Sequence, residues 1–189
     1  MTPKASWFRR IRQPSVRYPA AILFLAGGIV ALGAWLGFER IMDRTSTMEF
    51  CISCHEMETT VYREYQDSAH AHNPSGVRAT CPDCHVPREF GPKVLRKVLA
   101  VADLYHTAIG TVDTREKFEA KREELAERVW AYMRSNDSRE CRTCHAFATM
   151  KVADQRPRAQ EEHAEGVRSG KTCIDCHRGV THRLPPRDD

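Results

Sequence analysis

From Asp43 onward the chain is short of the residues that build a hydrophobic core. Leu, Ile, Val and Phe make up only 23 of those 147 residues. A composition that poor, joined to high net charge, would exclude a folded domain. Net charge is lacking as well, since after Phe38 there are 24 Lys+Arg against 25 Asp+Glu. The near-neutral body excludes a disordered polyelectrolyte and argues against a nucleic-acid partner. Charge is missing altogether from Pro19 to Phe38, PAAILFLAGGIVALGAWLGF. Acid is missing from residues 1–18, which carry Lys4, Arg9, Arg10, Arg12 and Arg17. No cysteine is left over: all eight fall into four C-x-x-C pairs.

Each pair is followed directly by histidine: Cys51-Ile-Ser-Cys54-His55, Cys81-Pro-Asp-Cys84-His85, Cys141-Arg-Thr-Cys144-His145 and Cys173-Ile-Asp-Cys176-His177. C-x-x-C-H is the pattern by which c-type cytochromes attach haem, two thiols forming thioethers and the histidine reaching the iron. Four C-x-x-C pairs could instead build two zinc sites, but zinc has no use for a histidine directly after the second cysteine. With histidine at roughly 2–5% of residues, four coincidences fall below about one in 10^5. A disulfide framework would ignore that histidine too. Four covalently bound haem c groups also answer the missing apolar residues. Porphyrins are large, flat and apolar, and the polypeptide wraps them.

The uncharged run of 20 residues is long enough to cross a hydrocarbon core of roughly 30 Å as a helix. Its glycines are tolerable in lipid, and Tyr18 and Trp35 suit the two interfaces. A cleaved signal peptide has an apolar region of about 7–15 residues and an A-x-A-like site. This run is longer and lacks a clean site, so an uncleaved anchor is expected. The basic residues before it keep that side cytoplasmic. The reading is a single-pass protein of the bacterial inner membrane: 1–18 a cytoplasmic basic segment, 19–38 the transmembrane anchor, 39–189 a periplasmic tetrahaem domain.

Within that domain Glu39 to Phe50 reads as a tether, and residues 58–70 as a helix leading to His70. Asn73-Pro74-Ser75-Gly76 is a turn. A helix begins by Lys93 and Gly110 ends it. Asp113-Thr-Arg-Glu116 has the form of a capping box with Asp113 at the cap. It opens a helix over 114–134, in which Phe118, Leu125, Val129 and Met133 form an apolar stripe of structural character. His70 precedes Cys81 by 11 residues and His163 precedes Cys173 by 10. Gly76-Val77-Arg78 and Gly166-Val167-Arg168 repeat alongside them. The fold expected is mainly α: one N-terminal transmembrane helix and a small multihaem cytochrome c domain. That domain is built as two duplicated two-haem units, about 45–110 and 135–185, joined by helix 114–134.

The motif histidines supply one axial ligand per iron. Bis-histidine iron suits electron transfer, and His70, His163 and His182 are the candidates for distal ligands. His72 and His106 read as surface histidines. Three distal histidines leave one iron short, and the first motif alone has a methionine, Met57, two residues on. Met57 is either a thioether ligand, which raises potential, or a gap-filler beside the haem. His55 and Met57 stand as alternatives on the first iron.

The anchor, the four motifs, the C-x-x-C-H-x-M start and the stretches VRATCPDCHVPREFGPKVLRK, DSRECRTCH and SGKTCIDCHRGVTHRLP resemble the NapC/NirT family across essentially the whole chain. That family comprises membrane-anchored tetrahaem quinol dehydrogenases related to NrfH. The resemblance implies oxidation of ubiquinol or menaquinol at the first haem. Transfer to a periplasmic reductase of the nitrate or nitrite type, or to its cytochrome subunit, follows in anaerobic respiration. It also implies that Met57 can take the proximal place in the stead of His55, and that Lys97 and Asp103 flank the quinol pocket. His70, His163 and His182 match the family's distal histidines. Arg88 stands where some relatives have histidine. Quinol oxidation releases two protons and two electrons, so a hydrogen-bond donor and a proton acceptor at the headgroup are what the chemistry requires. The rival readings are a passive tethered electron carrier without a quinone site and a terminal reductase. Self-association through the anchor is an open alternative.

Overall fold

The computed structural model describes residues 18–186; the basic segment from Lys4 to Arg17 lies outside them. Among the described residues the secondary structure is eleven α-helices and two short 3-10 helices, with no strand. The chain divides into two units, one ending at Arg44 and one beginning at Thr45.

The first unit is α1, Ala20–Arg44, which follows directly on Pro19. The Pro19 carbonyl accepts from the Ile22 N–H at 3.0 Å and the Leu23 N–H at 3.3 Å, which opens the helix. From Ala21 to Arg44 the helix is long and apolar enough to cross a membrane. Its large apolar side chains from Ile22 to Ile41 are exposed, Phe24 by 83%, and Met42 near its end is buried. The helix continues six residues past Phe38. Glu39-Arg-Ile-Met-Asp-Arg44 contains neither glycine nor proline, so nothing stops it where a tether was expected.

The second unit is a series of short helices. Around the first motif lie α2, Met48–Cys51, then α3, His55–Thr59, and α4, Val61–Gln66. The helix expected over 58–70 is broken at Thr60, whose φ is −116° and ψ −94°, and it ends before His70. The second motif forms α5, Cys81–His85. Helix α6, Phe90–Ala108, starts before Lys93. Pro92 is tolerated because it falls in the first turn, where its missing N–H has no intrahelical partner to lose. Gly110, at φ +74°, closes the helix in the left-handed region.

The long helix expected over 114–134 is two, α7, Arg115–Ala120, and α8, Arg122–Ser135, with Lys121 between them at φ −107° and ψ 3°. Thr114, rather than Asp113, is the cap: its hydroxyl accepts from the Lys117 N–H at 3.3 Å. Asp113 instead pairs with Lys117 Nζ at 2.8 Å. The third motif begins in α9, Arg139–Arg142; α10, Pro157–Arg168, carries His163; and the fourth motif forms α11, Cys173–Cys176.

Buried apolar side chains of this unit are Tyr65, Ala71, Phe118, Met133 and Ile174. Glu56, Thr60, Arg122, Ser138 and Glu140 are buried with them. The stripe on α7 and α8 is therefore structural, with Phe118 and Met133 in the core and Leu125 and Val129 half-buried. A protein core this small and this polar leaves the bulk of apolar burial to be supplied from elsewhere.

Candidate functional site

The eight cysteines form no disulfide, and among the described residues no group of three or more His, Cys, Asp or Glu side chains converges as a metal cage. That geometry does not suit a four-ligand zinc site. The thiols lie instead in a file. Cys51 and Cys81 share a hydrogen bond, which pulls the Cys51 thiol down to about 7 and pushes Cys81 up. Burial raises the Cys84 thiol to about 11, with Cys141 its next electrostatic neighbour. Burial also raises Cys141, whose next neighbour is Cys173. The order along the file is the order of the motifs in the chain, and α5 packs on both α2 and α9.

Local sequence explains how three of the motifs are held. Thr80 caps α5, and Asp83 Oδ2 accepts from both its N–H at 2.8 Å and its hydroxyl at 2.7 Å. Thr172 and Asp175 repeat this at α11, at 2.8 and 2.9 Å. The Thr-Cys-x-Asp-Cys-His pattern is thus a capping box fused to a haem motif, a signal readable in the sequence by its spacing. Arg88 lies 3.4 Å from Asp83. Motif three is entered through Asp137 and Ser138, both left-handed at φ 57° and 48°. The fully buried Ser138 hydroxyl accepts from the Ile174 N–H at 3.2 Å, tying motif three to motif four.

Three histidine pairs face one another. The ring centres of His85 and His182 are 6.3 Å apart, those of His70 and His145 6.2 Å, and those of His163 and His177 5.9 Å. Two imidazole nitrogens each about 2 Å from one metal put their ring centres roughly 6 Å apart. The rings therefore fit an iron between each pair. A hydrogen bond orients the ring of His163, as a ligating histidine requires, and a carboxylate stands near His182. His163 Nδ1 is 2.7 Å from Gln155 Oε1, and His182 Nδ1 is 3.8 Å from Glu64 Oε2. Burial, then the His182 and Arg96 charges, depress His85 to about 4, which keeps its ring neutral and able to ligate. Among the described residues His55 faces no histidine ring; it is exposed and Met57 half-buried. His72 and His106 are exposed, His106 lying 3.5 Å from the Thr111 hydroxyl.

Lys97 and Asp103 both lie on α6 but make separate contacts. Lys97 Nζ donates to the Thr45 carbonyl and to Thr45 Oγ1, the latter at 2.9 Å, and lies 5.9 Å from the centre of the Phe50 ring. Burial lowers its pKa. Asp103 lies 3.8 Å from Arg96 and 3.6 Å from Arg128. Two groups were not singled out by sequence. Glu56, buried between His55 and Met57, accepts from Thr107 of α6 at 2.8 Å. Glu64, behind His182, accepts from Arg122 at 2.7 Å and Arg183 at 2.9 Å. No local pattern announces either of them, because their partners are 51 or more residues away.

The NapC/NirT cytochrome c family, N-terminal region, matches residues 13–187. The cytochrome c-type protein NapC of Escherichia coli strain K12 is 50% identical over 174 residues, covering 92% of this chain and 86% of the relative. The denitrification system component NirT of Stutzerimonas stutzeri is 48% identical over 175 residues, 93% and 87% of the two chains. A protein of Allochromatium vinosum, named as of tetraheme cytochrome c type, is 47% identical over 167 residues, 88% and 89%. No solved structure gives a significant match. With near-complete coverage by both the family and its individual relatives, the chain belongs to the NapC/NirT cytochrome c family.

Proposed function

We propose that the chain crosses the bacterial inner membrane once through α1, with residues 1–18 cytoplasmic and the domain that follows periplasmic. There it carries four covalently bound haem c groups, one per C-x-x-C-H. It acts as a quinol dehydrogenase that delivers electrons to a periplasmic reductase. One observation carries the reading: three motif histidines have a facing histidine and His55 has none, while the segment around motif one adjoins α6.

The ligand sets follow from the facing rings: His85 with His182, His145 with His70, and His177 with His163. The fourth iron takes His55 or Met57. When bound, each haem c supplies a one-electron centre. The polypeptide keeps these centres in file through the Cys51–Cys81 adjacency, the capping boxes and the Ser138–Ile174 bond.

Quinol oxidation needs a donor to fix the headgroup and an acceptor for protons. Lys97 is the donor. Its bonds to Thr45 set where its ammonium stands, and a quinol oxygen replaces one of them. Asp103 is the acceptor, six residues further along the same arc of α6, held by Arg96 and Arg128. One relative is named as a denitrification system component, which supports a reductase of the nitrate or nitrite class, or its cytochrome subunit, as the electron acceptor.

The test uses the four-haem protein in membranes. Lys97→Met and Asp103→Asn each abolish haem reduction by quinol and leave reduction by dithionite intact. Quinol-driven rates within a factor of two of wild type in both variants would show that α6 holds no quinol site.

A further inference from the structure

Helix α6 is built inside out. Lys93, Lys97, Asp103 and Thr107 share one arc, and that arc is the one in contact with the rest of the second unit. Lys97 bonds to Thr45 at 2.9 Å, Thr107 to Glu56 at 2.8 Å, and Asp103 lies 3.6 Å from Arg128. The opposite arc carries Leu95, Val98, Leu99, Val101 and Tyr105, each 55–62% exposed. A helix on a soluble domain turns its apolar stripe inward and its charges out. Single exposed leucines need no account, but a contiguous apolar stripe marks a contact surface.

The haem-bearing motifs do not cover this stripe. Phe50, next to Cys51, and Glu56, next to His55, both meet the polar arc, through Lys97 and Thr107. Among the described residues only α1 is long and apolar enough to cross a membrane, and α6 carries Lys93, Arg96, Lys97 and Asp103.

We propose that α6 lies along the membrane–water interface with its apolar arc against lipid acyl chains, a second membrane contact beside α1. The length, the amphipathicity and the four charged groups are those of an in-plane interfacial helix. The occupant is set by chain continuity. Lys97, near the middle of α6, is bonded to Thr45, and Thr45 directly follows α1. Phe38 ends the uncharged run, and the seven residues from there to Thr45 span roughly 10 Å of helix. Continuity thus limits how far Thr45, and the Lys97 bonded to it, can stand from the end of that run. The inference rests on α1 spanning the bilayer. It gives quinol, which is dissolved among the acyl chains, a short way round α6 to the arc that carries Lys97 and Asp103.

The experiment places the full-length four-haem protein in nanodiscs containing a phospholipid with a diazirine on its acyl chain. After illumination and trypsin digestion, mass spectrometry locates the adducts. The expected result is lipid adducts on α1 and on the peptide 98–115, and none on α10. Val98→Glu combined with Leu99→Glu lowers the 98–115 adducts at least about tenfold relative to α1, since losing even one buried aliphatic side chain gives about that factor and the variant loses two. Haem content is measured in parallel to show that the variant folds. Adducts on α1 alone overturn the inference and leave the quinol dehydrogenase reading standing. Adducts on neither helix overturn the anchor reading as well. Undiminished adducts in the double variant, or α6 free of lipid and cross-linked to α6 of a second copy, overturn it too.

Discussion

Replacing Arg122 by methionine should cost the folded domain about 3 kcal/mol, although Arg122 lies in neither a C-x-x-C-H motif nor the proposed quinol region. Arg122 and Glu64 have side chains each only 7% exposed. The guanidinium gives Nη2 to Glu64 Oε1 at 2.7 Å, Nη1 to Glu64 Oε2 at 3.1 Å and Nε to Glu119 Oε2 at 2.6 Å. It also lies 5.5 Å from the centre of the buried Phe118 ring. Removing one partner of a buried pair typically costs 3–5 kcal/mol, because a buried charge is left uncompensated. The lower end applies here, since Glu64 keeps the Arg183 Nε at 2.9 Å and the Arg183 N–H at 3.1 Å. Methionine preserves the packing on Phe118, so the loss reports the ion pair rather than a cavity. In a domain of this size about 3 kcal/mol lowers the melting temperature by roughly 6–12 °C. The assay is thermal and denaturant unfolding of the haem-loaded protein, with Glu64→Gln and the double variant completing a cycle. A loss below about 0.5 kcal/mol for Arg122→Met, the range of ordinary surface changes, would refute the reasoning that this cluster holds the second unit together.

Three further outcomes are expected. Ser138→Ala removes the acceptor of the Ile174 N–H and should cost about 1–3 kcal/mol, read by denaturant midpoint; a neutral result would mean that the motif three to motif four tie is not stabilising. The Arg122 bond holds the Glu119 carboxyl below the usual carboxylate range. The stability it adds is present above the ordinary carboxylate pKa of about 4.3 and is lost as pH falls through the lowered folded value. Acid titration of stability should flatten in Arg122→Met below about pH 4, and an unchanged acid limb would contradict the assignment. His70→Met should raise the midpoint potential of the haem on Cys141 and Cys144 and leave that on Cys81 and Cys84 unmoved; spectroelectrochemistry decides, and a shift of the second-motif haem would reverse the pairing.

What could be read in advance was whatever is encoded locally. The C-x-x-C-H spacing, the uncharged run before Glu39 and the left-handed turn at Gly110 each lie within a few residues of their own cause. The Thr-x-x-Asp boxes at Thr80 and Thr172 are equally local, and they follow from a rule that was applied only at Asp113. At Asp113 that rule misplaced the cap by one residue, because Lys117 draws the Asp113 carboxylate away and leaves Thr114 to meet the helix N–H. Pairings across the chain were not readable. Glu64 meets Arg122 58 positions on and Arg183 119 positions on, and no periodicity carries such distances. The same holds for α6: a pattern with period 3.6 shows that a helix has two faces, but not which of them turns outward. Ordinary experience would have placed Leu95 and Leu99 inside, whereas both are exposed.

The internal repeat shows most clearly how sequence symmetry and structure part company. His70 and His163 stand at nearly the same distance before their following motifs, a spacing that leaves open which haem each would serve. His163 does face the histidine of the motif that follows it, His177. His70 passes over His85 and faces His145 in the other half, and His85 is met by His182 from the far end of the chain. A reason lies in the surroundings of His182. The Glu64–Arg122–Arg183 cluster fixes the C-terminal segment beside α4, within 3.8 Å of His182 and opposite His85. With that side of His85 taken, His70 is left to the next histidine along the file, His145. On the proposed ligand sets each half would depend on a histidine from outside it. Loss of residues 179–186 would therefore strip a ligand from the second motif, near the front of the domain, rather than from the fourth, beside which those residues lie in sequence.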